Sequence, residues 1–245
     1  MTNKRPCSLL AIAMSVLFAF QFSASAQAGV FNDALLANLS KSAPNLNKGV
    51  LKNALQASQC AISSGLEQPQ RLAVIDFSLP STERRLWIFD LKSGALVLRD
   101  LVAHGRNSGD NMATAFSNVE GSHQSSIGLF QASETYRGKH GYSLRLDGLE
   151  SGVNDLARQR AIVIHGADYV DPSWIANYGR IGRSLGCPAV SQKIIRRVVD
   201  NLKGGQFVFT YYPDQKWLQS SDMLHCGRAQ MAGADHADIE DNGRI

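Results

Sequence analysis

Ala161-Ile162-Val163-Ile164-His165-Gly166 and, further along, Gly182-Arg183-Ser184-Leu185-Gly186-Cys187-Pro188 are the stretches from which the rest of the chain can be ordered. The first is an unbroken apolar run closed by a histidine and a glycine. A short apolar run without alternation predicts a buried strand, here ending at His165. The second places glycines around a cysteine and so predicts a loop with backbone conformations that other residues avoid. Ser191 follows as a helix N-cap, and Ile194, Ile195, Val198, Val199 and Leu202 share one helical face. Gly204-Gly205 stops that helix, and Phe207 to Tyr211 predicts a last strand.

Upstream the apolar pattern turns strand-like. Leu72–Phe77, Leu86–Leu91 and Leu96–Val102 predict a meander that turns at Pro80-Ser81-Thr82 and Ser93-Gly94. Residues 104–125, rich in Gly, Ser and Asn, predict a long loop of the kind that often carries function. Ile127–Ala132 and Tyr142–Leu146 predict two further short strands. Residues 29–65 predict helices: Phe31, Leu35, Leu36 and Leu39 recur at helical spacing, Ser42-Ala43-Pro44-Asn45 interrupts, and Val50, Leu51, Ala54, Leu55, Ala57 and Ala61 form a second face. No repeat or linker divides the chain. The expected class is mainly β (α+β): a sandwich-like sheet, the helix after Cys187 packed on it, and N-terminal helices either alongside or forming a separate cap.

The chain has 245 residues, 44% of them hydrophobic, which suffices for one good core. Lys4 and Arg5, the apolar run Leu9–Phe20 and the small residues Ala24-Ser25-Ala26 have the layout of a secretory signal, expected over residues 1–26, with an uncleaved anchor as the alternative. An exported, periplasmic or cell-envelope location follows, with no stable membrane insertion after cleavage. Removing Lys4 and Arg5 takes 25 basic residues to 23 against 21 acidic, a net of +2, which argues against nucleic acid as a partner. Cys60, Cys187 and Cys226 then remain. An odd count in an oxidising compartment leaves one thiol over. Either Cys60 pairs with Cys226 and Cys187 stays free, or all three are reduced. Residues 27–69 are expected as a helical segment, 70–218 as the catalytic domain, and 219–245, with four acids between Asp235 and Asp241, as a polar mobile tail.

A thiol at the end of a glycine loop, just before a helix, has its pKa lowered by an adjacent base or by the helix N-terminus. Backbone N–H groups near Gly186 and Cys187 offer an oxyanion site. His165, at a strand end, is a candidate base, and with no acid at a suitable place a backbone carbonyl near Gly166 would hold its ring. Read alone, Cys187 is equally a small buried hydrophobe and His165 a satisfied core histidine. Arg183 and Arg180 present forks that match a carboxylate, with a solvated surface charge as the alternative for each and the preferred reading for Arg180. His104 and Asn118 are placed either in the cleft or in turns, and Lys139 and His140 in a lid. No pair among His104, His123, His165 and Cys187 has a metal-ligand spacing, so neither metal nor cofactor is expected. The sequence does not fix the oligomeric state.

The order of these motifs resembles the YkuD-type L,D-transpeptidases, which carry a His-Gly at a strand end, a gap, and then Ser/Thr-His-Gly-Cys. Ser126-Ile127-Gly128-Leu129-Phe130 is similar to the family's Thr-Pro-x-Gly-x-Phe strand. Ala103-His104-Gly105, Phe116-Ser117-Asn118 and His165-Gly166-Ala167-Asp168-Tyr169-Val170 are similar to its murein L,D-transpeptidase catalytic domain branch. The resemblance covers roughly residues 70–212. It implies a cysteine acyltransferase acting on peptidoglycan stem tetrapeptides. Cys187 would be the nucleophile, His165 the base and the Gly166 carbonyl its orienting group. Gly186, Ser184, Arg183, His104 and Asn118 would serve the oxyanion or the substrate. The same site would serve an L,D-carboxypeptidase if water took the acyl group, and a catalytically silent wall-binding protein is the reading from a different class. Leu185 replaces the family's histidine before Gly-Cys, Val190 replaces a common asparagine, and the gap after His165 is slightly longer than in the main family.

Overall fold

In the computed structural model, which describes residues 31–226, an asparagine starts each of the first two helices. The Asn32 side chain accepts the Leu35 N–H at 3.0 Å ahead of α1 (Asp33–Ser42). Asn47 accepts those of Gly49 and Val50 at 2.8 and 3.3 Å ahead of α2 (Lys48–Ser63). These caps satisfy N–H groups that have no partner within the helix. Pro44 lies in the break between them, and α2 buries Val50, Leu51, Ala54, Leu55, Ala57 and Ala61, the positions the helical period selects.

The strands are β1 (Arg71–Asp76), β2 (Leu86–Asp90), β3 (Leu96–Asp100), β4 (Gly128–Gly138), β5 (Gly141–Gly148), β6 (Val163–Ala167), β7 (Ala189–Ser191) and β8 (Phe207–Tyr211), with α3 (Pro172–Tyr178), α4 (Ile195–Leu202) and α5 (Gln215–Ser220) among and after them. They form one mixed sheet ordered β3-β2-β1-β8-β4-β5-β6-β7. The pairs β1–β8 and β6–β7 are parallel and the others antiparallel. The chain leaving edge strand β3 reaches the opposite edge, where Ala103 bridges Ala189 of β7. One continuous sheet thereby curls around a single interior.

That interior takes Ile75, Ile88, Leu98, Phe130, Leu144, Ile164, Val190 and Val208 from the strands and is closed by Val198 and Val199 of α4. The other face carries Val74, Trp87, Phe89, Leu129, Phe207 and Phe209, covered by Leu51 and Leu55 of α2 and Trp217 of α5. Alternate residues of β1 feed the two cores, as the pleat requires, so the strand is apolar throughout. The fold is mainly β with α+β organisation, and the N-terminal helices lie on the sheet instead of forming a separate cap.

Two expectations need correction. Ser191 does not cap the helix after Cys187. It ends β7, its Oγ accepts the Lys193 N–H at 3.3 Å, and α4 begins at Ile195 without a side-chain cap. A strand therefore separates the cysteine from the helix dipole. Residues 219–226 are also tied down. Buried Glu150 accepts bonds from the Leu129 N–H (2.9 Å), the Trp217 indole (2.8 Å) and the Ser221 hydroxyl (2.7 Å). Leu224 is buried, and Cys226 is disulfide-bonded to Cys60 with their Cα atoms 5.8 Å apart. Among the described residues Cys187 is the free thiol. The expected signal segment and the rest of the tail lie outside the described residues. No helix among those described is long and apolar enough to cross a membrane.

Candidate active site

β6 and β7 run side by side, with His165 paired to Ala189 and the His165 N–H donating to the Pro188 carbonyl at 3.4 Å. This pairing brings the end of the apolar strand beside the cysteine loop. His165 and Cys187 then line the same cleft, of about 520 Å3, with Ser184, Leu185, Arg183, Tyr169, Arg160, Lys139 and His140 among its walls.

His165 Nδ1 lies 2.9 Å from the Gly166 carbonyl oxygen. A carbonyl only accepts, so Nδ1 carries the proton and Nε2 keeps its lone pair. Burial holds the imidazole below its ordinary pKa, opposed by the Gly166 carbonyl and reinforced by His140 and Lys139. His140, at the tip of the β4–β5 hairpin, stacks on His165 with ring centroids 4.3 Å apart and planes 26° apart. The ring is thus fixed at one edge and on one face.

Cys187 sits half-buried, its thiol donating to the Ala161 carbonyl at 3.6 Å. Burial pushes the thiol pKa up. The Val163 N–H, the Arg160 and Lys139 charges and the Cys187 N–H pull the other way. With α4 displaced, no helix N-terminus lowers it, contrary to the sequence expectation. Both groups are neutral at rest, so the arrangement suits proton transfer from thiol to imidazole during attack.

Arg160 was not singled out by the sequence. Its guanidinium lines the cleft and donates to the carbonyls of Ser117 and Gln124 and to the hydroxyls of Ser122 and Ser126. It holds the long loop and places a positive charge near the sulfur. No pattern betrays it: it is one polar residue in an irregular segment.

Behind the cysteine, the loop is stitched to its neighbours. Ser184 Oγ donates to the Cys187 carbonyl at 2.6 Å and accepts the Gly186 N–H at 3.1 Å. The Gly186 N–H is therefore engaged by Ser184, while the N–H groups of Val163 and Cys187 favour negative charge on the sulfur itself. Gly186 adopts φ +124°, and a Cβ there would lie 2.9 Å from the Gln124 carbonyl oxygen. Ser125 Oγ donates to the Gly186 carbonyl and accepts the Gly105 N–H, both at 2.9 Å. At Gly105 a Cβ would stand 2.4 Å from the His123 oxygen and 2.9 Å from Gly186 Cα.

His104 and Asn118 are placed away from the cleft. His104 is fully buried, its Nδ1 2.7 Å from Arg85 Nη2. Arginine only donates, so Nδ1 accepts. Burial, then the Arg85 charge, lowers its pKa to about 4. Its burial depends on Arg85, a partner nineteen positions away, which no local pattern reveals. Asn118 bonds the Asp155 carboxylate at 2.7 Å and the Leu156 N–H at 3.1 Å, a turn role. Arg183 does line the cleft, braced on the Gly109 carbonyl at 2.9 Å and on Asp110. Arg180 shares Asp110 but lies outside it.

A free thiol and an oriented imidazole thus share one cleft on a one-sheet fold, an arrangement chemically able to support acyl transfer. The YkuD_2 model, the L,D-transpeptidase catalytic domain, matches residues 42–211, and the chain belongs to that family. No curated protein matches it. Solved structures similar to it include an L,D-transpeptidase from Mycobacterium smegmatis (13% identity, 58% of this chain and 59% of that one, TM-score 0.37). Another is L,D-transpeptidase 3 from Mycobacterium tuberculosis with a faropenem-derived adduct (13%, 59% and 61%, 0.37). A third is an L,D-transpeptidase from Stackebrandtia nassauensis (12%, 72% and 76%, 0.35). The chain spans 59% of the length of the first of these.

Proposed function

We propose that this chain is an exported peptidoglycan L,D-transpeptidase working through a Cys187 thioester on stem tetrapeptides. The observation that carries the reading is the free Cys187 thiol sharing a cleft with a His165 whose Nδ1 is held by the Gly166 carbonyl. In the first half-reaction the thiol proton passes to His165 Nε2 and sulfur attacks the carbonyl of the L-centre of the diamino acid. The N–H groups of Val163 and Cys187 favour the thiolate as the sulfur gives up its proton. The C–N bond breaks, the imidazolium returns its proton to the leaving amine of D-Ala, and a thioester remains. An acceptor amine then attacks that carbonyl, the C–S bond breaks, and the amine proton passes through His165 back to sulfur. Lys139, Arg160 and Arg183 make the cleft basic, which suits a carboxylate-bearing peptide. Water in the acceptor's place would give the carboxypeptidase outcome.

Intact-mass measurement with a carbapenem tests the nucleophile. A covalent adduct is expected on the wild type and none on Cys187→Ala. No wild-type adduct, or one that persists in the variant, would defeat the reading. With disaccharide-tetrapeptide as sole substrate, dimers mean transfer and tripeptide alone means hydrolysis.

A further inference from the structure

The turn between β4 and β5 reaches the cysteine cleft. Gly138 pairs with Gly141, so Lys139 and His140 are the whole of the turn. Two contacts hold its stem. The Tyr142 hydroxyl donates to Asp200 of α4 at 3.1 Å, and the Arg137 guanidinium lies 5.5 Å over the Tyr142 ring. β5 pairs with β6 through Leu144–Ile164 and Arg145–Val163. That register carries the turn alongside His165, and the two imidazole rings stack with centroids 4.3 Å apart. His140 is itself exposed, so packing of the core does not require a ring there.

The acid–base chemistry supplies a reason for one. When the Cys187 proton passes to His165, a thiolate and an imidazolium form in the same half-buried cleft. Lys139 lines that cleft, and its charge favours the thiolate. A neutral aromatic face attracts a cation placed over it. Burial, then the Lys139 charge, holds His140 below its ordinary pKa, so its ring is neutral at pH 7. A protonated His140 would act the other way and repel the imidazolium. It would also add to a wall that is already basic. Arg160 and Arg183 line the cleft against one carboxylate, Glu120, and His123, Tyr136 and Tyr169 are its other titratable groups.

We propose that His140 is a positioning residue for the proton transfer, its neutral ring face stabilising the His165 imidazolium while Cys187 is a thiolate. The proposal rests on the reading of Cys187 as nucleophile and His165 as base. The hairpin turn then supports both halves of the ion pair without touching substrate. Its lysine favours the negative partner and its histidine the positive one. A side chain that only blocked rotation of His165 would leave that imidazole's protonation equilibrium unchanged.

Alkylation of Cys187 by iodoacetamide, followed by peptide mass, reads the ion pair without a peptidoglycan substrate. The thiol proton passes to His165, sulfur bonds to the methylene carbon, and iodide leaves. At pH 7, His140→Leu should slow the reaction by about three- to tenfold, whereas His140→Phe, which keeps a ring face, should stay within about twofold of the wild type. In full-chain Cys187→Ala protein, NMR titration of His165 should give a midpoint about half to one pH unit lower with His140→Leu than with His140→Phe. Equal midpoints overturn the proposal and leave His140 a steric prop. So does an alkylation rate that neither substitution changes. Wild-type alkylation that survives His165→Gln undiminished would instead defeat the nucleophile–base reading, while the two midpoints still decide the role of the stack.

Discussion

The two sides of the cysteine loop differ in kind. Behind it, His104, Gly105, Ser125 and Ser184 are buried and interlocked with the loop backbone. In front, Cys187, His165 and Arg160 meet an open cleft, and His140 leans in from a hairpin tip. Two histidines mark the contrast. His104 is neutral because it is sealed in against an arginine; His165 is neutral but has one nitrogen left to work. Rigidity on the rear side lets the front side leave reactive groups unsatisfied.

The largest effect should come from removing the working nitrogen. His165→Gln keeps a polar side chain but supplies no base, and D-Ala release should fall by about 10²- to 10⁴-fold. An unchanged release rate would place the base elsewhere. Next comes the rear histidine. Folded His104 stays neutral down to about pH 4, whereas an unfolded histidine takes a proton near 6.5. Between those values the unfolded chain binds more protons, so stability falls as pH drops through that window, by about 3 kcal/mol at most. Denaturant melts at pH 7 and pH 4.5 should show a smaller difference for His104→Asn than for the wild type; equal differences would refute the sealed-histidine account. The smallest effect tests the interlock. In Gly105→Ala the new methyl would collide with the His123 carbonyl and the Gly186 backbone. Such overpacking costs about 1–3 kcal/mol, and carbapenem acylation should slow with it. A variant of wild-type stability would show that the rear side is looser than its contacts suggest.

The apolar runs at Leu72, Leu86, Val163 and Phe207 announce strands because a sheet covered on both faces tolerates almost no polar residue within it. The family motifs pointed to Cys187 and His165, which the structure brings to one cleft, and the odd cysteine count favoured the Cys60–Cys226 bond that the structure contains. Tertiary placement was not legible. His104 beside a glycine looks like a cleft residue until Arg85 arrives from a different strand entry point in the chain. Ser191 looks like a helix cap, but pairing with β6 turns it into a strand end. Residues 219–226 look like tail because their anchors, Glu150 and Cys60, are remote in sequence.

The position of β8 has a consequence for how such a chain is made. The strand at the middle of the sheet, flanked by β1 and β4, is the last to be synthesised. Its parallel pairing with β1 joins Leu72 to Phe207 across most of the chain. In a polypeptide emerging N-terminus first, one edge of β1 and one edge of β4 have no partner until this strand appears. A fragment ending before residue 207 would lack the strand that joins β3-β2-β1 to β4-β5-β6-β7, leaving two half-sheets with an unfilled seam between them.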